Sequence, residues 1–146
     1  MTIIAEVNSL TVPAQIFSPL SVAVFQLVPA TGDVSDPGDI NDNDTGTSVT
    51  FTINEYVTIE LPGLFKITQY RHYGSGGNDG DGAWKIEYQD YLNTWHDWAT
   101  GIATRVAASW CDWETASEVL CKAIRLTCTT ADGGTSSRIS ELEVKY

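Results

Sequence analysis

The sequence predicts an all-β fold, an antiparallel β-sandwich, and three observations carry that prediction. Apolar residues alternate with polar ones in several short segments, which is the pattern of a strand with one buried face. Residues that favour turns, mainly Gly, Asn and Asp, separate these segments. Helical periodicity is scarce, and we expect about one helical turn, in TASEVL at 115–120. Many strands with almost no helix favour two packed β layers.

The predicted strands follow one another along the chain as YVTIEL (56–61), KITQYRHY (66–73), AWKIEYQ (83–89), AIRLTCT (123–129) and ISELEVKY (139–146). Because side chains alternate between the two faces of a strand, the last segment turns Glu141 and Glu143 toward solvent. The same alternation predicts these inward-facing residues: Val57, Ile59, Leu61, Trp84, Ile86, Tyr88, Ile124, Leu126, Cys128, Leu142, Val144 and Tyr146.

The chain of 146 residues is the size of one domain. We assign the sandwich to 31–146 and expect 1–30, which is apolar and contains no Lys or Arg, to be an N-terminal arm or edge strand that contacts a neighbouring subunit. YGSGGNDGDGA (73–83) is predicted to be a long hairpin loop. The N-terminal residues lack the pattern of a secretory signal, and the apolar run at 17–28 is too short to span a bilayer.

The charge distribution excludes one class of partner. The formal net charge is -11, and Lys66 is the first basic residue of the chain. Nucleic-acid binding needs a basic face to neutralise phosphates, and anionic membranes attract basic surfaces as well. We therefore expect no nucleic-acid binding and no membrane insertion, which leaves cations, neutral sugars and proteins as partners.

Three cysteines, Cys111, Cys121 and Cys128, lack the spacing of a metal centre. Cys121 and Cys128 fall seven residues apart on one predicted strand, too far to form a disulfide with each other. A disulfide between Cys111 and Cys121 and three buried free thiols are the two alternatives, and free thiols indicate synthesis in a reducing cytosol.

Five segments resemble, in order, the discoidin domain family, also called the coagulation-factor C-terminal type: DNDTGT (42–47), VTIELPGLFKITQYRHYG (57–74), WKIEYQDYLNTWHDW (84–98), KAIRLTCT (122–129) and ISELEVKY (139–146). This family belongs to the galactose-binding-domain-like sandwiches, as do many bacterial carbohydrate-binding modules. The resemblance implies a jelly-roll β-sandwich with a binding function. Asn43 replaces the Gly that is usual in the family's loop, and asparagine tolerates the left-handed backbone that such a turn requires.

The same resemblance implies a structural calcium ion. The acidic loop at 36–47 would hold this ion, and a carboxylate of the last strand would complete its ligands. The residues that match this pattern are Asp39, Asp42, Asp44, Thr47 and Glu141, with Glu141 preferred over Glu143. Calcium takes six to eight oxygen ligands, which carboxylates and carbonyls provide, but this loop lacks the Gly and Glu of an EF-hand. The alternative is a solvated turn in which the aspartates cap their own backbone.

Four of the five tryptophans lie between residues 95 and 113, in the least regular part of the chain. We assign Trp98, Trp110 and Trp113 as candidates for stacking on a sugar, with His96 and His72 as hydrogen-bonding partners of sugar hydroxyls. The alternative is that the rings close the open end of the sandwich.

Catalysis has little support in the sequence. Neither Gly-x-Ser-x-Gly nor His-Glu-x-x-His occurs, and the two histidines do not have metal-ligand spacing. Cys111 with His96 could act as nucleophile and base, but nearness in sequence does not establish contact. We predict that the protein is not an enzyme.

Two binding functions and one catalytic alternative follow. The first is a component of a bacteriophage virion: a capsid decoration, cement, tail-fibre or baseplate protein. It would be made in the host cytoplasm and would contact other virion proteins or its own subunits in a homo-oligomer. It could also bind host-surface glycan. The second is a glycan-binding lectin module for neutral sugars, secreted or on a bacterial surface. The third and least favoured is a small hydrolase.

Overall fold

The structure, a computed structural model, describes residues 30–75, 82–102, 108–131 and 136–145. Their one helical element is a 3₁₀ helix at Pro37–Asn41. The strands are β1 (Thr31–Gly32), β2 (Val49–Phe51), β3 (Tyr56–Gly74), β4 (Ala83–Gln89), β5 (Trp95–Ile102), β6 (Ser109–Trp110), β7 (Glu114–Thr130) and β8 (Ser137–Lys145).

All strand pairs are antiparallel and follow one path, β2-β8-β3-β7-β4-β5, while β1 and β6 pair with β3. β3 pairs with β7 from Tyr56 to Tyr70, with register shifts between Glu60 and Phe65 and between Ile67 and Gln69. From Gln69 to Gly74, β3 also pairs with β8. The predicted antiparallel β-sandwich of jelly-roll type is confirmed.

The core lies between the layers, where the period-two pattern placed it. Trp84 is fully buried and meets Phe51 edge to face, with ring centroids 4.9 Å apart. The other predicted inward-facing residues are buried or packed against this core, except Tyr146, which lies outside the described residues. All three cysteines are free thiols; Cys121 and Cys128 are buried in β7, and Cys111 is half-buried.

The predicted orientation of Glu141 and Glu143 is wrong, because both are buried, at 2% and 6% exposure. Leu142 and Val144 do face the core, as expected. The opposite face of β8 is covered as well: the 3₁₀ helix packs on it, and Arg71 reaches Glu143. A strand buried on both faces loses the simple alternation of inside and outside.

Two local predictions are also corrected. TASEVL lies within β7, whose β-branched residues suit a strand, and the helical turn occurs instead where Pro37 can begin one. The segment 73–83 does not close a hairpin, because β3 pairs with β7 and β8 whereas β4 pairs with β5 and β7.

The predicted arm at 1–30 lies outside the described residues except for Ala30, which is buried and donates its N–H to the Asn41 side chain at 3.3 Å. Among the residues that are described, no helix has the length and apolar character needed to cross a membrane.

Candidate functional site

A pocket of about 220 Å³ opens between β5 and the end of β3. Nine residues line it: Tyr70, Arg71, His72, Thr100, Gly101, Ile102, Cys111, Asp112 and Glu114. The first three belong to β3, the next three to β5, and the last three to the segment that leads into β7 and its first residue. Gly101 has a φ of 65°, a left-handed conformation that glycine adopts at little cost. The lining combines hydroxyl, carboxylate, imidazole and guanidinium groups, so it can hydrogen-bond a polar ligand.

Cations and indole rings alternate beside this pocket. The Arg71 guanidinium lies 4.1 Å from the ring centroid of Trp110 and 4.6 Å from that of Trp113. Lys145 Nζ lies 3.9 Å from the Trp113 centroid. Tyr73 meets Trp110 edge to face at 5.5 Å. These cation–π and aromatic contacts hold the two indoles in fixed positions at the surface.

Arg71 is also held from the other side. Its Nε donates a hydrogen bond of 2.6 Å to Glu143 Oε2, and the two residues are paired across β3 and β8. The pairing neutralises the guanidinium within the protein, so among the described lining residues the charge that remains comes from Asp112 and Glu114. Burial and then the Glu114 carboxylate raise the pKa of the Tyr70 hydroxyl, which stays protonated and can donate a hydrogen bond.

His72 faces inward beside the pocket, only 6% exposed, and its Nε2 lies 3.2 Å from Cys111 Sγ. The histidine that contacts Cys111 is therefore His72 and not His96. Cys111 is fixed against it by a second contact, since the Cys111 N–H donates to the His72 carbonyl at 2.9 Å.

Trp98 lies at the edge of the core. Its indole N–H donates to the Ser117 carbonyl at 2.6 Å, and its ring is 5.6 Å from that of Tyr70. The ring packs against the core cluster, so its contacts match the closing role that was the alternative to sugar stacking.

His96 lies apart from the other candidates, near the start of β5 and five residues before Gly101. It accepts or donates a 2.9 Å hydrogen bond with Asp90 Oδ2 and stacks on Tyr88 at 5.0 Å. The His96 hydrogen bond lowers the pKa of the Asp90 carboxyl, helped by the Thr94 and Leu92 backbone N–H groups. The structure thus brings His72, Trp110 and Trp113 together and leaves His96 at the hairpin turn.

Sequence reasoning missed Arg71, Glu143 and Lys145 as members of this cluster. The available signal was weak: Arg71 and Tyr73 share one face of β3, and Glu143 and Lys145 share one face of β8. Only the pairing of those two strands, which sequence does not specify, brings them together.

The acidic loop is ordered by its own aspartates. Asp42 Oδ1 accepts the Asp44 N–H, and Asp44 Oδ1 accepts the Gly46 N–H, both at 2.8 Å. The Thr47 hydroxyl bridges Asp42 Oδ2 at 3.0 Å and the Asp44 carbonyl at 2.8 Å. Asn43 has a φ of 63°, the left-handed backbone expected for it. These contacts are those of turns capped by aspartate side chains.

Glu141 projects from β8 beneath this loop. Its Oε1 is buried without a hydrogen-bond partner among the described residues, and burial, reinforced by the neighbouring Asp42 carboxylate, raises the pKa of Glu141 from 4.5 to about 8. Backbone N–H groups of Asn43 and Asp44 partly oppose that shift. Burial, followed by Asp42, Asp36 and Asp44, also raises the pKa of Asp39. Carboxyl groups crowded in this way favour either a bound proton or a bound cation.

The residues fit calcium through a mixed set of oxygen ligands. Within the described ranges, no three His, Cys, Asp or Glu side chains are grouped as a metal centre. Two carboxylates, Asp42 and Glu141, do face each other, and Glu141 leaves one oxygen unsatisfied. Calcium also accepts the carbonyl oxygens of a loop, so the residue types present have the chemistry of calcium ligands.

Comparison with known proteins identifies the fold. The chain is similar to the family 32 carbohydrate-binding module of NanJ from C. perfringens in complex with galactose, with a TM-score of 0.70 and 16% identity over 86% of this chain and 98% of that one. It is also similar to the family 32 module of AlyQ in complex with 4,5-unsaturated mannuronic acid (TM-score 0.69, 16% identity, 82% and 95% coverage).

A pectin binding carbohydrate-binding module gives a TM-score of 0.69 and 20% identity, over 82% of this chain and 90% of that one. No protein-family model and no curated protein matches the sequence. The fold is that of the galactose-binding-like sandwiches, as the resemblance implied.

Proposed function

We propose that the protein is a non-catalytic carbohydrate-binding module whose site is the pocket between β3 and β5 together with the indoles of Trp110 and Trp113. The observation that carries the proposal is the adjacency of a polar pocket and two fixed, half-buried indoles. Sugars present hydroxyls to polar groups and C–H faces to aromatic rings, so such a combination suits them. The fold supports it, since similar structures contain bound galactose and mannuronic acid derivatives.

Trp110 is the ring best placed to stack on a sugar. In the part of the chain that is described, Trp113 contacts two cations, Arg71 and Lys145, whereas Trp110 contacts one cation and lies perpendicular to the Tyr73 ring. A cation over a π face excludes a sugar from that face. The Trp113 ring then acts mainly by holding Arg71 in position.

The pocket charge favours a neutral sugar over an acidic one. Asp112 and Glu114 line the pocket, while Arg71 is paired with Glu143. An incoming carboxylate would meet two like charges without a free base to compensate among the described lining residues. Neutral galactose-type oligosaccharides are the expected class.

Titration calorimetry against neutral and uronate oligosaccharides tests the proposal. Trp110→Ala should weaken binding of the neutral sugar by about tenfold or more, and Trp113→Ala by less. Trp95→Ala is the matched control, because Trp95 stacks on Arg125 on another face of the sandwich. A sugar panel with no binding by the wild-type protein, or equal losses in all three variants, would contradict the assignment.

We propose calcium as a structural ligand of the acidic loop, with Asp42 and Glu141 supplying carboxylate oxygens. The buried, unsatisfied Glu141 Oε1 supports it. Calcium would neutralise the crowded carboxyl groups and fix the loop against β8. Its role would be structural, and Asp42 and Glu141 would hold it between the loop and β8.

The virion role and a homo-oligomer also stand as proposals. They rest on the apolar, base-free segment 1–30 of the sequence, which we expect to contact a neighbouring subunit. A native mass measurement of the full chain tests the oligomer, and a strictly monomeric protein would count against it.

A further inference from the structure

The pair formed by His72 and Cys111 lies in the lining of the pocket proposed to bind sugar. Two contacts of different kinds hold it together: Cys111 Sγ lies 3.2 Å from His72 Nε2, and the Cys111 N–H donates to the His72 carbonyl at 2.9 Å. Both residues line the pocket. His72 is only 6% exposed while Cys111 is half-buried, so Cys111 is the more accessible residue of the pair.

An imidazole at hydrogen-bonding distance is the usual means of activating a thiol, because it accepts the proton and leaves the nucleophilic thiolate. The other two thiols are in the opposite situation. Cys121 and Cys128 are fully buried in β7, and burial raises the pKa of both, that of Cys121 to about 12. One chain therefore contains one accessible thiol beside a base and two enclosed thiols.

Among the described residues of the pocket, the ionisable groups near the pair come from two segments. β3 supplies Tyr70 and Arg71, and the chain entering β7 supplies Asp112 and Glu114, whereas the β5 residues of the pocket carry no ionisable group. The carboxylates of Asp112 and Glu114 favour the imidazolium, whereas the Arg71 guanidinium is paired with Glu143. The thiolate form of Cys111 is then stabilised by the imidazolium beside it.

We propose that Cys111 is a modification site that reacts with small-molecule disulfides to form a mixed disulfide within the pocket. The thiol proton passes to His72 Nε2, and Cys111 Sγ attacks one sulfur of the incoming disulfide. A new Sγ–S bond forms as the S–S bond of the reagent breaks, and the departing thiolate takes the proton back from His72. Cys111 is oxidised, the departing half of the reagent is reduced, and no other reactant is needed.

The modification has a consequence that rests on the proposed function. A group attached to Cys111 occupies the pocket of about 220 Å³. Sugar and modifying group then compete for one space, so sugar binding depends on the redox state of Cys111.

Reaction with an aromatic disulfide that releases a coloured thiolate tests the modification without any sugar. The native full-length protein should release about one equivalent rapidly, and the denatured protein all three. Cys111→Ser should remove the rapid phase, and peptide mass analysis should place the adduct on Cys111. A rapid phase that survives in Cys111→Ser, or an adduct on Cys121 or Cys128, overturns the proposal.

The pH profile of the same reaction tests the contribution of His72. An ordinary thiol, with a pKa of about 8.5, slows about tenfold for each pH unit below that value, as the denatured chain should. The native rapid phase should lose less than tenfold between pH 8 and pH 6, and His72→Gln should restore the ordinary slope. Because His72 is buried and its variant could unfold, the native and denatured wild-type profiles form the primary comparison, and identical slopes overturn the role of His72.

Calorimetry of the modified protein tests the competition. Modification should lower sugar binding by the wild type at least tenfold, whereas treated and untreated Cys111→Ser should bind sugar equally. Undiminished binding by the modified wild type overturns the competition. Failure of the untreated protein to bind sugar contradicts the proposed function instead, since the thiol kinetics are measured independently.

Discussion

Glu141 and Glu143 lie two residues apart on the same face of β8, and the protein accommodates the two buried carboxylates in opposite ways. Across the strand pair, Glu143 is opposite Arg71 and Glu141 is opposite Tyr73. Glu143 therefore accepts a 2.6 Å hydrogen bond from a guanidinium, while Glu141 meets Asp42 and keeps one oxygen unsatisfied.

The difference shows that burial alone does not determine what a carboxylate does for stability. A buried charge with its own base is compensated inside the fold, and removing the base leaves a desolvated charge. A buried carboxylate beside another carboxylate must bind a proton or recruit a cation. The first arrangement orders the indoles near the pocket, and the second makes the acidic loop sensitive to pH and metal.

The largest expected effect concerns Glu141. Its pKa of about 8 in the fold exceeds its ordinary value of 4.5, so between these pH values the unfolded chain releases a proton that the folded protein retains. Without metal, the contribution of Glu141 to the free energy of unfolding should therefore be highest below pH 4.5. That contribution should fall by roughly 3–5 kcal/mol by pH 8. Calcium, by binding the ionised carboxylates, should remove that fall.

Urea unfolding at several pH values, with chelator or with calcium, measures the effect. Glu141→Gln should flatten the pH profile in chelator and abolish the response to calcium. Glu60→Gln, at an exposed position of β3, is the matched control and should keep both. If Glu141→Gln leaves the pH dependence of the free energy of unfolding unchanged, Glu141 is not its source. If the wild-type protein is equally stable with chelator and with calcium, the loop does not bind calcium.

The second prediction concerns Glu143, whose ionised form stabilises the fold, whereas ionised Glu141 destabilises it. Glu143→Gln and Arg71→Met should each destabilise the protein, by about 2–3 kcal/mol, because each leaves the partner partly buried without its counter-charge. The double variant should lose less than the sum of the two single losses. Denaturant unfolding followed by tryptophan fluorescence gives the coupling free energy, and strictly additive losses would show that the ion pair contributes nothing to stability.

Sequence patterns predicted the strands because each strand depends on its own alternation. Val57, Ile59 and Leu61 needed only a period of two, and the left-handed Asn43 needed only local backbone preference. The same rule misplaced Glu141 and Glu143, since the cover over the second face of β8 comes from residues far away in the chain.

The candidate site was predicted in part, for a similar reason. Trp110, Trp113 and His72 were selected as residue types that suit sugar binding, and the structure places them together. Their organising partner Arg71, and the contact of His72 with Cys111 across 39 positions, depend on how β3 pairs with β8 and β6. Pairing between distant strands is set by the whole fold and leaves no local signal.

The smallest effect refines the comparison by testing whether the acidic loop is coupled to Glu141. Asn43 and Asn54 both have left-handed backbone, with φ of 63° and 72°, so replacement by Ala should cost each about 1 kcal/mol and replacement by Gly little. Only Asn43 offers its N–H to Glu141. The loss in Asn43→Ala should therefore change with calcium and between pH 5 and pH 8, whereas the loss in Asn54→Ala should not. Equal, pH-independent losses at the two positions would mean that the loop folds without reference to Glu141, and that the buried carboxylate acts on β8 alone.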